Sequence, residues 1–128
     1  MTQPLATLLD HFPDAVILTD RRGLITAANA QAAALFGYPP GELVGMEIDL
    51  LVPEGARDRH REHRALYNSA PAVRRMAGRK MLSGRRKDGT VFPADISLSP
   101  YQAADGPLII SVVRDVSDRV NLEEARRE

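Results

Sequence analysis

The sequence predicts an α+β domain: a five-stranded antiparallel sheet with helices on one face and a short flanking helix at each end. Three observations lead there. Two β-rich runs divided by turn residues follow residue 12, an insert with helical spacing comes next, and three more strand runs close the domain. Two strands, a helical insert and three strands leave the helices grouped on one side of a single sheet. The 128 residues suit one domain, and an apolar share of 44% argues against disorder.

The elements follow in chain order. Leu5, Leu8 and Leu9 stand at i, i+3 and i+4 and predict a short amphipathic helix that Pro13 and Asp14 end. Ala15 to Thr19 and Leu24 to Ala28 read as a hairpin around Asp20-Arg21-Arg22-Gly23. Asn29 is a favoured N-cap for a helix from Ala30 to Phe36, which Gly37 terminates. Tyr38 to Gly45 has room for a turn or two of helix, and a longer helix is expected from Pro53 to about Asn68. Ser69 to Ala77 reads as a loop. Lys80 to Lys87 and Thr90 to Tyr101 are strands joined at Asp88-Gly89, the strongest short hairpin signal present. Pro93 points to an edge position or a bulge. Leu108 to Val113 is a buried strand, and Arg119 to Glu128 has helical character with Glu123 and Arg127 at i, i+4. The divisions expected are a flanking helix over 1–11, the domain over 12–118 and the start of a linker helix over 119–128.

Composition excludes several functions. Seventeen basic residues balance seventeen acidic ones, which removes the global attraction to nucleic acid or an anionic membrane surface. The basic runs Arg57 to Arg64 and Arg85-Arg86-Lys87 are interleaved with or followed by acids, so no nucleic-acid contact is expected. The absence of cysteine excludes disulfides, thiolate metal sites and a cysteine-linked chromophore. Met1-Thr2-Gln3-Pro4 does not open a signal peptide, and no apolar run approaches a membrane span, so the expected location is the cytoplasm without membrane contact by this chain. No nucleophile elbow, phosphate loop or His-Glu-x-x-His motif is present, and the chain is not expected to be an enzyme.

Several runs together resemble the PAS family. Phe12 to Ile17 with Thr19-Asp20-x-x-Gly23, then Asn29-Ala30-x-Ala32 ending in Leu35-Phe36-Gly37-Tyr38, resemble its opening strands and first helix. Glu42-Leu43-Val44-Gly45, Arg85 to Thr90 with Phe92-Pro93, and Val113 to Arg119 resemble its following turn, central hairpin and closing junction. The resemblance implies a PAS fold and a sensor or signal-relay part of a larger signalling protein, such as a bacterial histidine kinase or diguanylate cyclase. It also implies a covalently linked effector, a homodimer that the N-terminal helix would form, or a ligand-free dimerisation role. Asn29 reads as a cap, and Leu35, Phe36 and Phe92 read as core, ahead of any ligand contact.

The resemblance singles out two candidate places. At the closing junction, Asp115 is the polar anchor of a relay from sheet to helix, open to pairing with a basic residue on a neighbouring strand, and Ser117 keeps the hydroxyl of the more frequent threonine. On the helix from Pro53, His60 falls where oxygen-sensing haem PAS domains of the FixL type carry their axial histidine, which makes it a metal ligand if haem is bound. Arg64 and Tyr67 continue the His60 face, and Lys80 falls at the strand arginine of those domains, with a flexible point charge in place of a planar fork. The same three residues are candidate contacts for a small organic ligand. The cofactor stays open: a flavin finds no tryptophan to stack on and no cysteine for an adduct.

Overall fold

The computed structural model describes residues 9–57, 74–75, 82–104 and 106–117. Within them, β1 (Ala15–Thr19) is buried along its whole length. Side chains alternate between faces along a strand, so its apolar run serves two cores. Ala15 and Ile17 join the cluster under the helical layer, and Val16 and Leu18 join Leu9 on the opposite face. The turn to β2 (Ile25–Ala28) is held by Asp20, whose Oδ1 accepts from the amides of Arg22 and Leu24 (2.9 and 3.0 Å). Gly23 completes it at φ 86°, a region that side chains disfavour.

Helix α1 (Ala30–Phe36) forms as its caps predict. Asn29 accepts from the Ala32 amide, and Gly37 takes the left-handed conformation at φ 78°. The segment after it differs from expectation: Tyr38 to Gly45 makes turns rather than helix, with Gly41 and Gly45 both at positive φ. Two prolines at its start remove helix donors. Residues 45–48 instead cover the outer edge of β2, through Ile25 N to Met46 O, Gly45 N to Ile25 O and Ile48 N to Gly23 O, each 2.8 Å. Short 3₁₀ turns follow at Ile48–Leu51 and Glu54–Ala56. The longer helix expected from Pro53 lies outside the described residues after Arg57.

The remaining strands are β3 (Arg74–Arg75), β4 (Leu82–Arg85), β5 (Val91–Ala103) and β6 (Gly106–Asp115), all antiparallel to their neighbours. The order is β2-β1-β6-β5, with β4 and β3 sharing the far side of β5. The sheet is thus five strands wide. The strand β3 corrects the loop expected over Ser69 to Ala77: Arg74 and Arg75 pair with Leu98 and Ser97. The long strand β5 continues past the end of β4, and its free backbone groups there are satisfied by pairing. Pro93 is a second correction, since β5 is flanked on both sides. The Pro93 carbonyl accepts from the Val116 amide, one residue past the end of β6 (3.1 Å). Its missing donor therefore falls where the β5–β6 ladder stops, and no rung is lost.

The main core lies between the sheet and the helical layer and includes Ile17, Ile25, Phe36, Leu43, Leu51, Phe92 and Val113. Phe36 and Phe92 meet edge to face with centroids 5.5 Å apart. The Phe92 ring lies over Gly84, its partner across β4–β5: a Cβ at position 84 would come within 2.5 Å of the ring's Cζ. Residues 1–8 and 118–128 lie outside the described residues, and with them most of the flanking helix expected over 1–11, all of the one expected over 119–128, and the dimer contact expected of the first. Leu9 is described; it is buried against Val16 and Leu18 on the sheet face away from the main core.

Candidate functional site

The chain leaves the sheet at Asp115, where a partly buried carboxylate organises the first residues beyond it. The Ser117 amide and hydroxyl both donate to Asp115 Oδ1 (2.8 and 2.5 Å). This is the local side-chain-to-backbone bonding by which aspartate starts a helix or turn. The other oxygen, Oδ2, accepts from Arg86 Nη2 at 3.1 Å. One carboxylate therefore ties the exit backbone on one side and the central hairpin on the other. The side chains of Arg86 and Asp115 are 30% and 28% exposed, so water screens the pair and its direct worth is about 1 kcal/mol or less. Its value lies in geometry.

Arg86 sits just past β4 in the turn that Asp88-Gly89 builds. Its amide donates to the Thr90 carbonyl (2.8 Å), and the Arg86 carbonyl accepts from the Gly89 amide (2.9 Å). Asp88 accepts from the Thr90 amide and hydroxyl (2.9 and 2.7 Å). Those two bonds, with help from the Arg86 charge, hold the Asp88 carboxyl below its ordinary value. With the turn so fixed, the Arg86 guanidinium lies 4.5 Å from the centroid of the buried Phe92 ring. A planar cation is suited to that aromatic face.

Lys87 points the other way. Its amide donates to the Phe36 carbonyl at the end of α1 (2.8 Å), and its Nζ reaches Glu42 Oε1 (2.8 Å) and lies 5.5 Å from the Tyr38 ring centroid. Adjacent residues of one turn thus grip the helical layer and the exit junction. Arg86 and Lys87 are both engaged with acids of the same chain, so this run is not a free basic patch.

At the same end of the sheet, where β1 begins beside the end of β6, Asn29 is buried and uses all its side-chain bonding capacity. Its Oδ1 accepts from the amides of Val16 and Ala32, and its Nδ2 donates to the carbonyls of Leu9 and Asp14, each at 2.9 Å. Asp10 adds a bond from the Ala30 amide (2.8 Å). The end of the first helical segment is thereby fixed to β1 and α1. Asp14 also pairs with Arg114 near the end of β6 (2.9 Å), and the bond raises the affinity of Arg114 for its proton.

The structure brings Asp115 and Ser117 into contact. His60, Arg64, Tyr67 and Lys80 lie outside the described residues. Among the described residues no cluster of three metal-ligating side chains occurs, and no helix is long and apolar enough to cross a membrane. Sequence reasoning missed Arg86 as the Asp115 partner and Asn29 as a four-bond hub. For Arg86 the signal was partial: a basic partner was expected on a neighbouring strand, whereas Arg86 stands in the turn just past β4, which pairs with β5 and not with β6. For Asn29 the cap was visible, but its long-range donors were not.

A family model described as PAS fold matches residues 4–116. The chain belongs to the PAS family. This PAS domain is 29% identical over 124 residues to the sensor protein FixL of Bradyrhizobium diazoefficiens, covering 97% of this chain and 25% of FixL. It is 27% identical over 113 residues to the oxygen sensor protein DosP of Escherichia coli, covering 88% of this chain and 14% of DosP. The chain thus spans a quarter or less of these curated relatives. Among solved structures it resembles the PAS domain of a Colwellia psychrerythraea protein, with a TM-score of 0.75, 18% identity and coverage of 91% and 97% of the two chains. The PAS domain is a regulatory sensor fold, and the two curated relatives named here are sensor proteins.

Proposed function

We propose that this PAS domain is a cytoplasmic signal-relay module of a larger protein, with the Asp115–Ser117 junction as its output. The observation that carries the reading is the divided role of Asp115, whose two oxygens hold the exit backbone and the central hairpin separately. A shift of hairpin against β6 would change the geometry of the cap, and so the direction in which the chain departs. Asparagine at 115 keeps the shape and one acceptor but removes the charge that Arg86 meets. In the parent protein, Asp115→Asn should leave the domain folded and weaken the dependence of output on signal. Ser117→Thr, which retains the hydroxyl, should preserve that dependence. An Asp115→Asn protein that signals as the wild type does would remove the relay reading.

A second reading is favoured by similarity to a protein named as an oxygen sensor. In it His60 holds a haem iron, with Arg64, Tyr67 and Lys80 as polar neighbours; the same residues would serve a small organic ligand. Visible absorption of the hemin-treated chain tests it directly. A stoichiometric haem band that shifts or vanishes in His60→Ala is the expected result, and a wild-type chain that retains no haem would overturn it.

A further inference from the structure

Arg86 touches both the exit carboxylate and the core. Its Nη2 holds the exit carboxylate at 3.1 Å, and its guanidinium lies 4.5 Å from the centroid of Phe92. Phe92 is 1% exposed, packs edge to face on Phe36 and lies close over the bare backbone of Gly84. Phe36 is the last residue of α1, and its carbonyl is held by the next residue of the same turn, Lys87. Any displacement of α1 against the sheet therefore acts on the Phe36–Phe92 pair, and the Arg86 guanidinium lies over the Phe92 ring of that pair.

We infer that Arg86 is a positioning residue that couples the Phe36–Phe92 aromatic pair to the Asp115 cap, so that movement of the helical layer reaches the chain's exit through this side chain. The inference rests on the reading of Asp115 as the output and adds the route by which that output is set. Contact with the ring restricts where the guanidinium can lie, and that placement decides whether Nη2 faces Oδ2. A lysine here keeps the charge but has no plane to register against the ring. Coupling between two sites is reciprocal, so a change at Asp115 must also be felt at Phe92.

The test uses amide hydrogen exchange and aromatic proton shifts of the 128-residue chain. Exchange is read at Ser117, whose amide is bonded to Asp115 Oδ1. Loss of one such ring or paired contact corresponds to about fivefold faster exchange, and this is expected in both Arg86→Lys and Phe92→Leu. In the double variant the rate should be no higher than in Arg86→Lys alone. Multiplied effects would mean separate routes and would overturn the coupling. The reverse direction leaves the core intact: Asp115→Asn should shift the Phe92 ring protons in the wild-type background and leave them unchanged in Arg86→Lys. If neither Arg86→Lys nor Phe92→Leu alters Ser117 exchange while Asp115→Asn does, the route through Arg86 is wrong and the Asp115 junction stands. If Asp115→Asn also has no effect on Ser117, the junction reading falls with it.

Discussion

Asn29 shows how much one side chain can hold. Its four hydrogen bonds join the first helical segment, β1 and α1 at a position 2% exposed. Replacement by alanine takes the side-chain partner from the Val16 amide and the Asp14 carbonyl where water reaches them poorly, while the Ala32 amide keeps the residue-29 carbonyl and the Leu9 carbonyl keeps the Phe12 amide (3.1 Å each). Asn29→Ala should therefore destabilise the domain by about 2–4 kcal/mol, read as a lower denaturant midpoint with an unchanged slope. A loss below about 0.5 kcal/mol would mean that water or a local shift replaces these bonds. Sequence made the cap legible, because asparagine before an alanine-rich run has one dominant local use. The bonds to Leu9 and Asp14 were not legible, since they depend on where the earlier chain folds back. The same holds for Asp115: its role as an anchor followed from its place at a strand end, whereas the identity of Arg86, 29 residues earlier, needed the hairpin's register.

At the level of elements, strands with a clear apolar run and a strong turn were read well. The β1–β2 hairpin, α1 with both caps and the Asp88-Gly89 turn all stand where local chemistry puts them. What local chemistry did not reveal was pairing imposed from outside. Arg74–Arg75 is a strand because β5 offers unpaired groups there, and Pro93 sits inside a flanked strand because its missing donor meets the end of β6. The hairpin turn also makes a pH prediction. The Asp88 carboxyl is held below its ordinary value when folded, so the unfolded chain takes up this proton first as pH falls. The stability it supplies is complete above the ordinary aspartate range, about 4, and fades as pH drops through the lower folded value. Asp88→Asn should abolish that part of the acid sensitivity. Because the group is fully exposed, the effect belongs to the turn: the Thr90 amide, followed by exchange or chemical shift through the acid range, should report it ahead of global unfolding. A Thr90 amide indifferent to acid would contradict this.

Across the whole molecule, fold class was legible because the order of elements admits few arrangements. Two strands, a helical insert and three strands must close into one sheet if the helices are to share a side. The site was legible only in part. Its carboxylate and hydroxyl stand at a recognisable strand end, but the residues that would name a ligand, His60, Arg64, Tyr67 and Lys80, lie outside the described residues. The two sides of the sheet divide the work: alanines, Phe36 and Phe92 fill the helical side, whereas Leu9, Val16 and Leu18 form a separate apolar cluster behind it.

The register of β1 against β6 has one more consequence. Ala15 faces Val113 across that ladder, and Asp14 grips Arg114 beside it. The polypeptide thus arrives at the sheet and departs from it at neighbouring points, separated by the width of a strand pair, about 5 Å. A unit with that property can be spliced between two helices of a longer protein without forcing them apart. Copies can be threaded one after another along a chain, and a loop in an unrelated host can accept one as it would a tight hairpin. Interchangeability of this kind comes from where two strands lie, and it is independent of anything the interior binds.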